Sequence, residues 1–284
     1  MDRRLSGGTR VVGIIGWPVS HSLSPAIHNA AFAALEMDWI YVPLPVPPDR
    51  VEAALAGMPA MGFVGTNVTM PHKTEVADLL SADLTDDAAR LHAVNTIEVR
   101  DGRLIGHNTD APGFDRFLRQ DAGLDPRGAT ALLYGAGGVA RACALALAQG
   151  GASRITVAVR DAARAGALKN TLDGFATPVD VIDFEGASGW RGDLVIDATP
   201  IGADGVGVPP EPAYTPGMMV VDLKYHPAVT PLQTNARAAG AVAFGGLGLL
   251  LHQAALSFEI WSGRPGQLDV MSAAALAAVG DRGI

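Results

Sequence analysis

Ala129-Thr130-Ala131-Leu132-Leu133-Tyr134-Gly135-Ala136-Gly137-Gly138-Val139-Ala140 is the stretch on which the fold turns. Its first six residues form a short, largely apolar run, the pattern of a strand buried in a sheet. From Gly135 to Ala140 the chain fits G-x-G-x-x-[GA], and residues 139–149 continue as an Ala-rich helix. The first glycine of such a loop permits a tight turn, and the second lets backbone approach a pyrophosphate. The third position needs only a small side chain, which Ala140 supplies. Free N–H groups at the helix start then face the phosphates. Glycine-rich turns also serve plain packing. Here, however, a strand, this loop, a helix and a further strand at residues 155–159 together predict dinucleotide binding, with Gly135, Ala136, Gly137, Gly138 and Val139 at the phosphates.

The corner after the second strand reads Val159-Arg160-Asp161-Ala162-Ala163-Arg164. An acid there would hold a ribose 2′-OH, whereas arginine would hold a 2′-phosphate. Arg160 and Arg164 flank the corner and point to NADP, with NAD as the alternative that Asp161 keeps open. Asp161 also has a plainer use, as the N-cap of a helix running from Ala162.

Outward from this unit, strand and helix patterns continue on both sides. Strands are predicted at residues 11–15, 40–44, 63–68, 96–99 and 103–105, then at 194–197 and 218–222. Asp101-Gly102 reads as a hairpin turn, since both central positions of a type I′ turn need φ > 0. Ser24-Pro25 before residues 26–35 reads as an N-cap and first-turn proline of a helix. Further helices are expected near residues 232–239, 249–261 and 267–279. Strands alternating with helices argue for a doubly wound parallel sheet. The second unit begins near Ala111, and the chain changes character again after Gly245-Gly246. That order suggests two domains with a cleft between them, where small-molecule sites tend to lie.

Composition narrows the function. The chain has 284 residues and a formal net charge of −8, which argues against a nucleic-acid surface. A single cysteine, Cys143, precludes an internal disulfide and fits a reducing cytoplasm. No stretch reaches the ~20 apolar residues of a membrane span, and no signal-peptide core follows the basic N-terminus. The expectation is a soluble, cytoplasmic protein without nucleic-acid or membrane partners. The histidines form no metal-binding pattern. Lysine occurs only as Lys73, Lys169 and Lys224 among 21 basic residues. An ammonium, unlike a guanidinium, can be tuned toward neutrality. Lys73 therefore stands out as a candidate proton donor, while Lys169 fits a solvated helix face and Lys224 has no assigned use.

Four polar clusters fall at loops of the N-terminal unit. They are Ser20-His21-Ser22-Leu23-Ser24-Pro25, Asn67-Val68-Thr69-Met70-Pro71-His72-Lys73, Ala93-Val94-Asn95-Thr96 and Gly106-His107-Asn108-Thr109-Asp110. Two hydroxyls, Ser22 and Ser24, can bind a carboxylate without a cation. Thr69, Asn95 and Asp110 can hydrogen-bond substrate hydroxyls, and Lys73 can protonate a carbonyl oxygen. Each has a local alternative: Ser24 as a helix cap, Asn95 and Asn108 as turn residues, Asp110 as a cap for Ala111.

Together these segments resemble the shikimate dehydrogenases over nearly the whole chain. The resemblance implies two α/β domains flanking a cleft. One is a discontinuous substrate domain, residues 1–110 with 246–284; the other is a Rossmann-type NADP domain, residues 111–245. It implies reversible reduction of 3-dehydroshikimate to shikimate by NADPH, with shikimate as the small-molecule partner and a monomer or homodimer as the assembly. It gives Lys73 and Asp110 as the catalytic pair, and Ser22, Ser24, Thr69, Asn95, Tyr225 and Gln253 as substrate contacts. Leu223 and Gly246 join the cofactor contacts. The chain departs from the family pattern at Val159 and Asp161, in place of Asn and Thr, and at Asp197, in place of Asn. His92 and Ala111 stand where glycine is usual. A quinate or aminated substrate, with NAD, is the nearest alternative within the family. A nucleotide-binding sensor that has lost catalysis is the alternative outside it.

Overall fold

Short runs rich in β-branched and aromatic residues make the first sheet. β1 (Arg10–Gly16), β2 (Trp39–Pro45) and β3 (Phe63–Val68) lie parallel, and β4 (Thr96–Arg100) and β5 (Arg103–His107) complete it antiparallel, in the order β2-β1-β3-β4-β5. The β4–β5 hairpin turns through Asp101 (φ 52°) and Gly102 (φ 76°), both left-handed as a type I′ turn requires. Helices α1 (Ser24–Ala34), α2 (Val51–Ala60), α3 (Lys73–Leu79) and α4 (Asp86–Leu91) connect these strands. Their apolar faces bury Val51, Leu55, Met58 and Val76 against Ile15, Val68 and Ile97 of the sheet. His92 ends α4 with φ 48°, a left-handed C-cap where glycine would carry no steric cost.

The structure, a computed structural model, describes residues 5–280. It divides into two compact units, Met1–Thr109 with Gln253–Ile284, and Asp110–His252. The second unit opens with α5 (Asp110–Gln120) and holds β6 (Thr130–Tyr134), α6 (Gly138–Gln149), β7 (Arg154–Ala158), α7 (Gly166–Thr171) and β8 (Val179–Ile182). It continues with β9 (Leu194–Asp197), β10 (Met219–Asp222), α8 (Pro231–Ala238) and β11 (Val242–Gly245), and then enters α9 (Leu247–Ser262). All six strands run parallel in the order β11-β10-β9-β6-β7-β8. The order reverses between β6 and β9, the switch point at whose strand ends doubly wound sheets bind ligands. Leu132, Tyr134, Val195 and Val220 form part of its core. Cys143 is buried within α6, and burial pushes its thiol well above the ordinary range, so it is an inert core residue.

By compactness the chain passes into the first unit inside α9, between His252 and Gln253. Gly245 ends β11, and Gly246 follows it directly. α10 (Leu268–Gly280) then packs against α1.

Two local expectations are corrected. Ser24 does not cap α1; Leu23 occupies the N-cap without a side-chain bond, and Ser24 is the first helical residue. Asp110 likewise begins α5 rather than preceding it.

Candidate active site

In the second unit, β6 delivers the chain to Gly135 at φ 98°, and a Cβ there would sit 3.3 Å from the Ala198 carbonyl oxygen. Gly137 is the extended N-cap of α6, and Cβ atoms at Gly137 and Gly138 would meet nothing within 4 Å. The loop therefore presents bare backbone and a helix N-terminus to open space. That space is a cavity of about 730 Å³. It is lined by Gly135, Ala136 and Gly137, by Val159, Arg160, Asp161 and Arg164, and by Phe184 with residues 198–200. A glycine cradle, two exposed guanidiniums and a helix start fit a phosphorylated dinucleotide. The Asp161 carboxylate accepts the Ala163 N–H at 3.0 Å, so it serves as a cap, the plainer of its two expected uses.

Gly138 and Val139 lie on the first turn of α6 beside this cavity rather than among its lining residues. Leu223 and Gly246 sit together at the ends of β10 and β11. The Leu223 N–H donates to Asp197 O at 3.0 Å, and the Gly246 N–H to Lys224 O at 2.9 Å. A Cβ on Gly246 would fall 2.0 Å from the Leu223 carbonyl oxygen, so only glycine fits there. Tyr225 follows on the same segment with its ring partly exposed. Phe184 and residues 198–200 escaped sequence reasoning, since no local motif marks them.

The first unit gathers its polar residues differently, through side chains. Ser22 Oγ accepts the Ser24 N–H at 3.2 Å. Ser24 and His28, one turn apart on α1, face Tyr41 of β2. The Ser24 hydroxyl bonds the Tyr41 phenol, and the His28 ring stacks on Tyr41 at 4.5 Å. Burial lowers the His28 pKa to about 3, so this ring is neutral packing and not a base. The Tyr41 hydroxyl donates to Asn67 Oδ1 at 2.7 Å, and burial pushes it well above the ordinary phenol range. Asn67 Nδ2 in turn reaches Asn95 O at 3.1 Å, Thr96 Oγ1 at 3.0 Å and Ser257 Oγ at 3.0 Å.

Asn95 is orientated by the backbone. Its Oδ1 accepts the Thr109 N–H at 2.8 Å, so its Nδ2 must point the other way, toward Thr109 Oγ1 at 2.9 Å and Gln253 Oε1 at 3.5 Å. Ser24, Asn95 and Gln253 thus belong to one buried network, although they come from α1, the approach to β4, and α9. The Thr69 N–H donates to Ile15 O at 2.9 Å, which ties the segment after β3 to the end of β1. Lys73 begins α3, and its carbonyl accepts the Val94 N–H at 2.9 Å, so its backbone is pinned beside Asn95. His72 is fully buried with Nε2 2.7 Å from Val46 O, which fixes Nε2 as the donor and anchors the turn before Lys73. Asp110 is buried at the head of α5 in the second unit, directly after Thr109. No group of three or more potential metal ligands occurs among the described residues. None of their helices is long and apolar enough to cross a membrane.

Comparison with known proteins gives this geometry a family. The model of the shikimate dehydrogenase substrate binding domain matches residues 14–97, and that of the shikimate 5′-dehydrogenase C-terminal domain matches residues 246–276. A shikimate dehydrogenase (NADP⁺) of Citrifermentans bemidjiense is 43% identical over 267 residues, covering 91% of this chain and 92% of the relative. Among solved structures, shikimate 5-dehydrogenase of Listeria monocytogenes, in complex with shikimate and NAD, superposes with a TM-score of 0.89 at 32% identity, covering 96% of this chain and 98% of that one. The ligand-free 5-ketofructose reductase of a Gluconobacter species reaches the same TM-score and identity, over 96% of this chain and 100% of that one. Likeness of fold therefore spans several substrates, whereas the family models and the curated relative agree. The chain belongs to the shikimate dehydrogenase family.

Proposed function

We propose that this protein is a shikimate dehydrogenase that reversibly reduces 3-dehydroshikimate to shikimate with NADPH. The observation that carries the reading is the buried network joining Ser24, Asn67, Asn95 and Gln253. It lies in the unit that contains the substrate-domain match, and it holds several polar groups ready for a polyhydroxylated ring. Hydrogen-bonding sites of this kind reject analogues that lack the matching hydroxyl, because the buried groups would be left unpaired.

NADPH bound at the glycine loop supplies the hydride. The chain itself binds, orients and handles the proton. Ser22 and Ser24 hold the substrate carboxylate; Ser24 can turn to it while Tyr41 keeps its bond to Asn67. Thr69, Asn95 Nδ2, Gln253 and Tyr225 hold ring hydroxyls. As the ketone carbon accepts hydride, its oxygen gathers negative charge, and the Lys73 ammonium gives that oxygen its proton. Asp110 orients the ammonium and holds its charge. Hydride plus proton convert ketone to alcohol, and the reverse step returns the proton to the Lys73 amine. Leu223 and Gly246 shape the nicotinamide end of the cofactor site. Val139 and Gly138 offer the first N–H groups of α6 to phosphate, and Arg160 and Arg164 pair with the 2′-phosphate. The use of Asp161 as a cap supports NADP over NAD.

The test is shikimate-dependent formation of NADPH by the purified chain. Turnover that falls by ~10²–10⁴ in Lys73→Ala is expected; absence of turnover with shikimate in the unaltered chain sinks the reading. The cytoplasm, where reduced dinucleotide is plentiful, is the proposed location, and the active assembly is proposed to be a monomer or homodimer.

A further inference from the structure

Lys224 has no part in the roles above, yet it lies among buried charges in the second unit. Its side chain is only 10% exposed, and its ammonium lies 2.7 Å from Asp197 Oδ2, 2.7 Å from Asp222 Oδ1 and 3.1 Å from Thr199 O. Three N–H donors meet three acceptors. Both carboxylates are fully buried, and their other bonds are made. Asp197 Oδ1 accepts from Thr199 N at 2.9 Å and Thr199 Oγ1 at 2.7 Å, and Asp222 Oδ2 from Thr230 Oγ1 at 2.6 Å.

Position gives the cluster its meaning. Asp197 and Asp222 are paired residues at the ends of the neighbouring parallel strands β9 and β10. Two buried like charges side by side repel, and the ammonium between them turns that repulsion into a bridge. The bridge joins two segments. Residues 198–200, following Asp197, form one wall of the dinucleotide cavity. Residues 223–225, following Asp222, carry Leu223 and Tyr225, and the Lys224 carbonyl also receives the Gly246 N–H. A buried ion cluster is a poor device for stability, since apolar side chains of similar volume do as well or better. It is a good device for fixing two loops in one geometry.

We propose that Lys224 is a positioning residue for the cofactor: its ammonium clamps the cavity wall at residues 198–200 to the segment 223–225, so that the dinucleotide site is preformed. This rests on the dinucleotide reading of the glycine-loop cavity. Besides Lys224 and Asp222, the titratable groups facing Asp197 are the phenols Tyr134 and Tyr214, both pushed upward by burial, and Glu211 hydrogen-bonded to Tyr214. None of these offers a second cation.

The test is the dissociation constant for NADPH, measured by fluorescence titration between about pH 6 and about pH 8.5 and expressed at each pH as the ratio of variant to unaltered chain, which cancels titration of the ligand's own phosphate. In Lys224→Met the two carboxylates face each other, and uptake of a proton relieves them only at the acid end. The ratio should therefore rise with pH, to about tenfold at the alkaline end. In the double variant Asp197→Asn/Lys224→Met a single carboxylate remains. Its ratio should be flat and smaller than that of Lys224→Met. A ratio within about twofold at every pH for Lys224→Met, or a double variant that binds no more tightly than the single, overturns the proposal. Should Lys224→Met not fold, Lys224→Arg carries the test. It keeps the charge but presents a planar fork to three acceptors set around an ammonium, and a ratio of about fivefold without pH trend is expected; a ratio within about twofold overturns the clamp. If the unaltered chain binds no NADPH, the clamp and the cofactor reading fall together. Binding of NADPH without turnover of shikimate overturns only the substrate reading.

Discussion

The two units build their sites from different materials. The second offers backbone: Gly135 at positive φ, bare N–H groups from Gly137 onward, and a helix end opening on a cavity. The first offers side chains that hold one another, Ser24 on Tyr41, Tyr41 on Asn67, Asn67 on Ser257, Asn95 on Thr109. A backbone site suits a ligand part that every dinucleotide shares, the pyrophosphate. A side-chain network suits a ligand whose individual hydroxyls must be told apart. The difference teaches that cofactor identity should depend on a few surface cations, while substrate identity should depend on a buried lattice.

The largest effect expected concerns chemistry and belongs to neither binding device. Lys73→Ala should lower kcat by ~10²–10⁴ with its fold intact by circular dichroism. Unchanged turnover would remove the lysine from the mechanism. Next, Arg160→Ala with Arg164→Ala should raise the KM for NADP about 10–100-fold and leave that for NAD nearly unchanged. An equal loss for both cofactors would mean the cations steer charge in general and do not read the 2′-phosphate. On the substrate side, Ser22→Ala should raise the KM for shikimate about tenfold with little change in the KM for NADP. A change confined to the cofactor would break the division between the units.

Two smaller effects sharpen the same contrast. Tyr41→Phe leaves Asn67 Oδ1 buried without its donor, and should cost about 1–3 kcal/mol of stability in denaturant unfolding while leaving NADP affinity unaltered. Asp161→Ala removes only a cap on a short exposed turn. It should cost about 0.5 kcal/mol and leave NADP binding equal or slightly tighter; weaker NADP binding would show that the carboxylate contacts the ribose.

This contrast also explains what the sequence could reveal. The backbone site is local, so twelve consecutive residues announced β6, the loop and α6, and the hairpin at Asp101-Gly102 was equally plain. The cap at Asp161 was legible for the same reason. Ser24 looked like a cap because Pro25 follows it, yet the helix starts a residue earlier, and its hydroxyl turns to Tyr41 instead. The supporting partners were not legible. Asn67 and Ser257 lie 190 residues apart and meet only after α9 reaches the first unit, and Tyr41 reads as an ordinary strand residue. Strands β8 and β11 escaped, although the equally short β9 and β10 did not, because Asp180 interrupts the apolar run of one and Gly245 ends that of the other. Asp197 stood out only as a departure from the family pattern. Its partnership with Lys224 needed the pairing of β9 and β10 to be seen.

The most direct test of the account is a four-way rate comparison, shikimate and quinate each with NADP and NAD, on the unaltered chain. The account predicts the highest kcat/KM for shikimate with NADP. It also predicts that the penalties for changing substrate and for changing cofactor are close to additive in free energy, because separate devices impose them. A preference for NAD, or for quinate, or a cofactor preference that reverses when the substrate changes, would contradict it.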